Sequence, residues 1–488
     1  DVLVVGGSGA AASITQSTGQ MLLSSLTINS EVGSGSLSAA SSLDANTISL
    51  SAEGSGNVDL IVDGNVEAED LSLGGAGTGT VVLGVDTHNL NVTGELKFAH
   101  LSSQASLEQD SDNPGSITVG QFVLAQPVLN MSTFTTQELS IIDTQDYSRE
   151  LTMSGDLIVE QLIKIEGHQQ SATLNMNTFN IIGKAGSKAD LLIDANSGQA
   201  AITNAGLVSI ADLELRSDQV LAEFTISGQR FEAETVIVST AGEGDATLQL
   251  SGTAQGIIVN GDFQIETEGG TGISKVMTSG GSIEIKGDLR LLKSGANDTD
   301  PAPNLDLITN GGSVAGSIRL AGDLEVTGGE LNLGPNSELI LDSQGTQNIN
   351  LTNVNLAAAG ATLRVRNNAD VAPATITVPV ISGSEYFIGG NLMVEKGASI
   401  ALTGTAGSAF VIDQNVSLRG QLTIDSVDIA FNDTNNSGVV IGQSGYLVMT
   451  SPNRIILVNG KLNNQLGGSV DLAADSTLEL GKHTTIQT

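Results

Sequence analysis

The segment Gly281-Ser-Ile-Glu-Ile-Lys-Gly-Asp-Leu-Arg-Leu291 returns 35 residues later as Gly316-Ser-Ile-Arg-Leu-Ala-Gly-Asp-Leu-Glu-Val326. Each copy reads as a short strand, a glycine corner and a second short strand. Ile283, Ile285, Leu289 and Leu291 alternate with Glu284, Lys286 and Arg290, the two-residue period of a half-buried strand. In the second copy Ile318, Leu320, Leu324 and Val326 hold the apolar places, while Glu284 becomes Arg319 and Arg290 becomes Glu325. What is kept is a pattern of burial and turning, not a set of reactive groups.

The corner recurs at Gly64-Asn, Gly94-Glu, Gly155-Asp, Gly261-Asp, Gly287-Asp, Gly322-Asp, Gly390-Asn, Gly420-Gln and Gly460-Lys, each followed by an apolar residue. Several of the gaps lie near 30 residues. A period in that range marks a stacked architecture, because one coil buries too little apolar surface to offset its own ordering and needs neighbours. The expected fold is therefore all-β, a long parallel β-solenoid with irregular coils of about 30 residues and a few loop insertions.

Within it, residues 1–12 form an apolar strand and a Gly/Ser/Ala tether, 13–370 the main solenoid, and 371–488 a β-rich continuation with a seam near residue 370, where Pro373 and Pro379 interrupt the pattern. Ser294–Asn304, with two prolines, reads as a surface loop. Leu157–Ile165 could pass for a helix, but its β-branched content and the flanking Gly155 and Gly167 favour a strand.

Composition narrows the core. Rings make up only 3% of the 488 residues and Trp is absent, which fits stacked Val, Ile, Leu and Ala better than sandwiches built on large aromatics. There are 54 acidic against 19 basic side chains, a formal net charge of −35. That balance excludes nucleic acid and anionic lipid as electrostatic partners and leaves room for divalent cations. No cysteine is present, so disulfide, thiolate and zinc–sulfur chemistry are excluded. No run of 18 apolar residues marks a membrane-spanning helix, and Asp1-Val-Leu-Val-Val5 lacks the basic start and long apolar core of a signal peptide.

The motifs that carry chemistry are few. His88, His100, His168 and His483 are scattered, with no metal-ligand or triad spacing. Asp156, Asp262, Asp288 and Asp323 follow corner glycines, and paired carboxylates on a β-helix face are the acid–base arrangement of polysaccharide-cleaving enzymes. The same place is filled by Asn65, Asn391, Gln421 and Lys461, so a carboxylate is not required there; Asp beside Gly accepts local backbone hydrogen bonds. No cofactor is expected. Calcium is the small partner the loops leave room for, at Asp110 and Asp112, at Asp298 and Asp300, and at Asn432, Asp433 and Asn435, none in the spacing of a twelve-residue calcium loop or of the nonapeptide calcium repeat. Seven Asn-x-Ser/Thr sites match what this composition gives by chance. Val2, Leu3, Val4 and Val5, on their tether, read either as the first strand of the solenoid or as an arm that adds a strand to another molecule.

The strand-corner repeat, the scarcity of rings, the missing cysteines and the acidic balance together resemble secreted parallel β-solenoid surface proteins, the autotransporter passengers and filamentous-haemagglutinin-like adhesins of bacteria. The resemblance covers residues 50–100, 250–345 and 380–480, and no secretion domain or membrane barrel is recognisable in the chain. It implies an extracellular or cell-surface rod. Function is accordingly expected to be structural and non-catalytic: self-assembly into a filament, sheath or layer, or service as an adhesin stalk, with copies of itself, and calcium or surface glycans, as partners. The alternative is a polysaccharide lyase or glycoside hydrolase using surface carboxylates.

Overall fold

The computed structural model describes the chain except residues 8–9, 100–103, 110–114, 125–127, 132, 144–147, 185–186, 229, 251–255, 279–280, 295–303, 308–315, 343–346, 351–353, 357–359, 367–374, 380–384, 405–407, 433–437, 460, 466, 481–484 and 488. The described residues are all-β, with no helix, and the strand pairings within each part are parallel, as a β-solenoid requires. The chain divides into two compact units, Asp1–Gly228 with Ala241–Thr247, and Gln229–Thr240 with Leu248–Thr488.

In the first unit β1 (Val2–Gly6) pairs with β3 (Met21–Ser30), and β3 with β5 (Leu43–Ala52). β2 (Ala12–Gln16) pairs with β4 (Gly35–Ala39) in a second sheet. Each long strand serves two sides of a turn. In β5 the buried positions alternate as far as Ala45, two exposed residues follow at Asn46 and Thr47, and alternation resumes at Ile48. The bend reverses which residues face inward, so one ten-residue strand lines two walls of the core. Stacking then builds columns. Val4, Ile28, Leu50, Leu73, Phe98, Leu124, Ile141, Ile165, Ile193 and Leu215 are successive partners across ten rungs, and all are buried. Phe98, Phe122 and Phe134 stack inside this unit with ring centroids 5.7 and 5.1 Å apart. Leu157–Gly167 is an eleven-residue strand, as its β-branched content indicates.

In the second unit one ladder runs from Ile257–Val259 through Ser282–Ile285, Ser317–Leu320, Glu338–Leu341, Thr362–Val365, Asn391–Val394, Val416–Leu418, Val439–Ile441 and Lys461–Asn464 to Thr485–Gln487. The internal repeat is realised as a stack in register: Ile283 pairs with Ile318, Glu284 with Arg319, Leu289 with Leu324 and Arg290 with Glu325. Its eight apolar residues are all buried. This ladder passes from Thr362–Val365 directly to Asn391–Val394, on either side of the seam expected near residue 370. Pro373 and the loop at 295–303 lie outside the described residues, and Pro379 ends the strand Thr375–Pro379.

The coil is shorter than the corner spacing suggests. Leu392, Val416, Val439 and Leu462 are consecutive partners, 24, 23 and 23 residues apart, and Met21, Leu43, Val66 and Leu90 are 22, 23 and 24 apart. The reason is that the glycines occupy different corners. A Cβ on Gly64 would meet Ser42, whereas one on Gly94 would meet Asp70, so the interval between those two glycines mixes two corners. Gly261, Gly287 and Gly322 do lie on one corner, each built against the backbone of the one before.

Candidate association surface

The tethered apolar strand of the sequence is the first strand of the first unit. Val2 to Gly6 pair in parallel with Leu26 to Ser30, and among the described residues β1 has a strand partner on that side alone. The stretch after it turns a corner of the same rung: Glu31 N–H donates to Gly6 O at 3.2 Å, Gly33 N–H to Gly7 O at 2.9 Å, and Ala12 N–H to Ser34 O at 2.8 Å. A Cβ on Gly6 would stand 2.4 Å from Gly33 O, so only glycine fits this turn. Ser8 and Gly9 lie outside the described residues.

What sets β1 apart is its outer face. Val4 is 3% exposed and faces the core, but Leu3 is 68% and Val5 48% exposed. The residues beside Leu3 on the next rungs are Thr27, Ser49, Ser72 and Lys97, and those beside Val5 are Asn29 and Ser51. In the Leu3 column the outer face is thus apolar on the first rung and polar on the next four, before Val123 and, further on, Leu192 return to it. A strand apolar on both faces is the pattern of one covered on both sides.

The structure adds three residues the sequence reading passed over. Leu22 and Val32 are exposed, and Ile14, in line with the buried Leu37, Leu60 and Leu83, is 38% exposed, with a strand on one side only among the described residues. Leu22 was legible as the centre of Met21-Leu-Leu23, an uninterrupted apolar run where later rungs read Leu43-Asp-Ala45 and Val66-Glu-Ala68. Moreover, β1 covers β3 only from Leu26 onward, leaving the backbone of Met21–Leu23 without a strand on that side among the described residues. In the second unit Leu480, in line with the buried Val458, is 48% exposed, and Leu472 and Tyr446 are exposed nearby in sequence.

The corner carboxylates do something other than the local capping expected of them. Asp288 N–H donates to Asp262 Oδ1 at 2.9 Å, Asp323 N–H to Asp288 Oδ1 at 2.8 Å, and Asn348 N–H to Asp323 Oδ1 at 2.8 Å. Each acceptor serves the backbone of the next rung, so the corner is a side-chain ladder running alongside the backbone ladders. Asn180 N–H to Asp156 Oδ1 repeats it with a carboxylate, and Asn89 N–H to Asn65 Oδ1 and Asn415 N–H to Asn391 Oδ1 repeat it with amide acceptors. An Asn or Asp carbonyl-type oxygen meets the need equally, which explains the mixed residue types. Arg290 lies against Asp262 and Asp288 at 3.4 and 2.6 Å.

A second gathering of carboxyls lies on the first unit, where Glu166 partners Asp194 and Asp194 partners Arg216. Burial, then Glu166, push the Asp194 carboxyl above the usual carboxylate range; Arg216 and His168 oppose this and Glu214 adds to it. Glu166 has Lys164 Nζ at 2.8 Å and His168 Nε2 at 3.5 Å, so a lysine cation accompanies the cluster. His88 stands 3.9 Å from Asp63, and His100 and His483 lie outside the described residues. Of the calcium candidates only Asn432, on the strand Asp428–Asn432, is described, and among the described residues no three His, Cys, Asp or Glu gather as a metal site. Phe98, Phe122, Phe134, Phe224, Phe231, Phe263, Phe410 and Phe431 are buried, which commits most of the rings to the core. No helix among the described residues is long and apolar enough to cross a membrane. No known protein family, curated protein or solved structure matches this chain.

Proposed function

We propose that this chain is a structural protein of the cell exterior, a β-solenoid that associates with copies of itself to build a filament, sheath or layer and performs no catalysis. The observation that carries the reading is the first rung: Leu3 and Val5 make its outer face apolar where the next four rungs place Thr27, Ser49, Ser72 and Lys97 beside Leu3 and the next two place Asn29 and Ser51 beside Val5. The carboxylates that suggested an enzyme support it as well, since Asp156, Asp262, Asp288 and Asp323 are engaged in holding one rung to the next. An acidic, cysteine-free composition suits a protein that remains dispersed until its faces meet. Calcium and glycans stay as partners within this reading.

Sedimentation velocity across a hundredfold concentration range tests it. The wild-type chain is expected to form species larger than the monomer, and Leu3→Lys/Val5→Lys to shift the distribution towards monomer with an unchanged circular dichroism spectrum. A wild-type chain that stays monomeric throughout removes the proposal.

A further inference from the structure

Resting on the calcium partner of that reading but not on self-association, we infer that the second unit binds a calcium ion at the corner where Asp342 and Gln347 meet.

The pairing brings the two residues together. Asp342 N–H donates to Leu320 O at 2.9 Å, and Asn348 N–H donates to Asp323 Oδ1 at 2.8 Å. Asp342 and Gln347 therefore stand over one corner of the rung beneath, the one that Ala321 and Gly322 turn. Gln347 reaches back into that corner: its Nε2 donates to Leu320 O at 3.2 Å and to Gly322 O. The Gln347 amide and the Asp342 backbone thus share an acceptor, Leu320 O. Residues 343–346 lie outside the described residues and form no part of the site.

Both side chains are buried, Asp342 at 3% and Gln347 at 0% exposure, and each keeps one oxygen, Asp342 Oδ1 and Gln347 Oε1, without a donor among the described residues. Turning the Gln347 amide over gives no relief, because its oxygen would then face the carbonyls of Leu320 and Gly322. Asp342 Oδ2 accepts from Arg319 Nε, which leaves Oδ1 bare. The first unit treats an equally buried carboxylate differently. Asp143, also 3% exposed, takes the N–H groups of His168 at 2.6 Å, of Gln169 at 2.8 Å and of Gln170 across its two oxygens. A buried acceptor without a donor is costly, and two at one corner call for something that satisfies oxygen alone.

The set is a carboxylate oxygen, an amide oxygen and main-chain carbonyls. Hard oxygen donors of this kind suit calcium and offer a transition metal neither nitrogen nor sulfur. The local charge permits it, since Arg319 also has Glu284 at 3.6 Å, so that two carboxylates share one guanidinium. With a single carboxylate in the set, binding belongs to the weak range of extracellular modules. For the same reason neither an acidic cluster nor a calcium-loop spacing marks the site in the sequence.

The full chain is stripped with EGTA and dialysed to equilibrium against about 1 mM calcium, the concentration at which extracellular modules bind it. The wild type is expected to retain one calcium ion per chain more than Asp342→Asn. Calcium should also raise the wild-type urea midpoint and leave that of Asp342→Asn in place. The variant keeps the shape of the side chain and an oxygen for Arg319, and places an N–H at the bare position. In EGTA it should therefore be at least as stable as the wild type. Arg319→Gln removes the competing cation, and calcium should shift its midpoint further than it shifts the wild type. Equal calcium content in wild type and Asp342→Asn, or equal midpoint shifts, would mean that a water serves the corner and overturns the inference. So would a shift in Arg319→Gln no larger than in the wild type. A wild type that shows the extra ion yet stays monomeric in sedimentation overturns self-association and leaves this site standing; one that assembles without the extra ion does the reverse.

Discussion

Asp288 offers the sharpest test of how the rungs are held. Its Oδ1 accepts the Asp323 N–H of the next rung at 2.8 Å, its own N–H donates to Asp262 at 2.9 Å, and its Oδ2 takes Arg290 at 2.6 Å. Asp288→Leu deletes the acceptor and leaves the Asp323 N–H in a partly covered corner, which costs about 1–3 kcal/mol. The Arg290 pair adds little, about 0–1 kcal/mol, because both side chains are about a third exposed. Asp288→Asn keeps an oxygen in the same place and loses only the pair, so about 1 kcal/mol or less is expected. The corner's own use of Asn65, Asn180 and Asn391 argues for that tolerance. Urea titration monitored by circular dichroism measures both, with the wild-type slope as a check on cooperativity. Equal damage from Asn and Leu would show that the charge, not the acceptor, sustains the corner. A neutral Asp288→Leu would remove the side-chain ladder from the account of stability altogether.

Two further outcomes are expected. Phe122→Ala, at a fully buried ring between Phe98 and Phe134, opens a cavity on both sides and should destabilise the first unit by about 3–5 kcal/mol in the same urea assay. Asp194→Asn should stabilise the first unit at neutral pH: burial and Glu166 raise the folded carboxyl, so the folded chain holds a proton the unfolded chain releases, and stability declines as pH rises from the ordinary carboxylate value of 3.8 through the raised one. The gain should vanish below that window, and urea midpoints at pH 3 and pH 7 that differ from wild type by the same amount would refute it.

The alternation of residues 281–291 and of its second copy was legible, because burial on one side forces it and a one-residue slip would expose every apolar side chain; that the two copies pair residue for residue is what the structure adds. Rung length was not. Glycine appears wherever backbone passes too close for a Cβ, and that happens at several corners, so intervals between glycines do not measure one turn. The part of the site centred on Val2–Val5 was visible as an apolar run, but not which of its residues face outward; that depends on pairing with Leu26–Ser30, a partner no local pattern identifies. Likewise the corner aspartates looked locally satisfied, since a sequence cannot show that the donor lies 26 or 35 residues away. Ile14 and Leu480 follow the alternation of buried strands, and only the pairing reveals that they are exposed among the described residues.

The rung from Ile283 to Ile318 takes 35 residues and the next, from Ile318 to Leu339, takes 21, yet the same ladder receives both without a slip in pairing. Contour length between rungs is therefore nearly free to drift, since closing a longer excursion costs only logarithmically more. Insertions and deletions at such points would alter what the molecule displays while sparing what makes it fold, so the scaffold and its decoration can evolve on separate clocks.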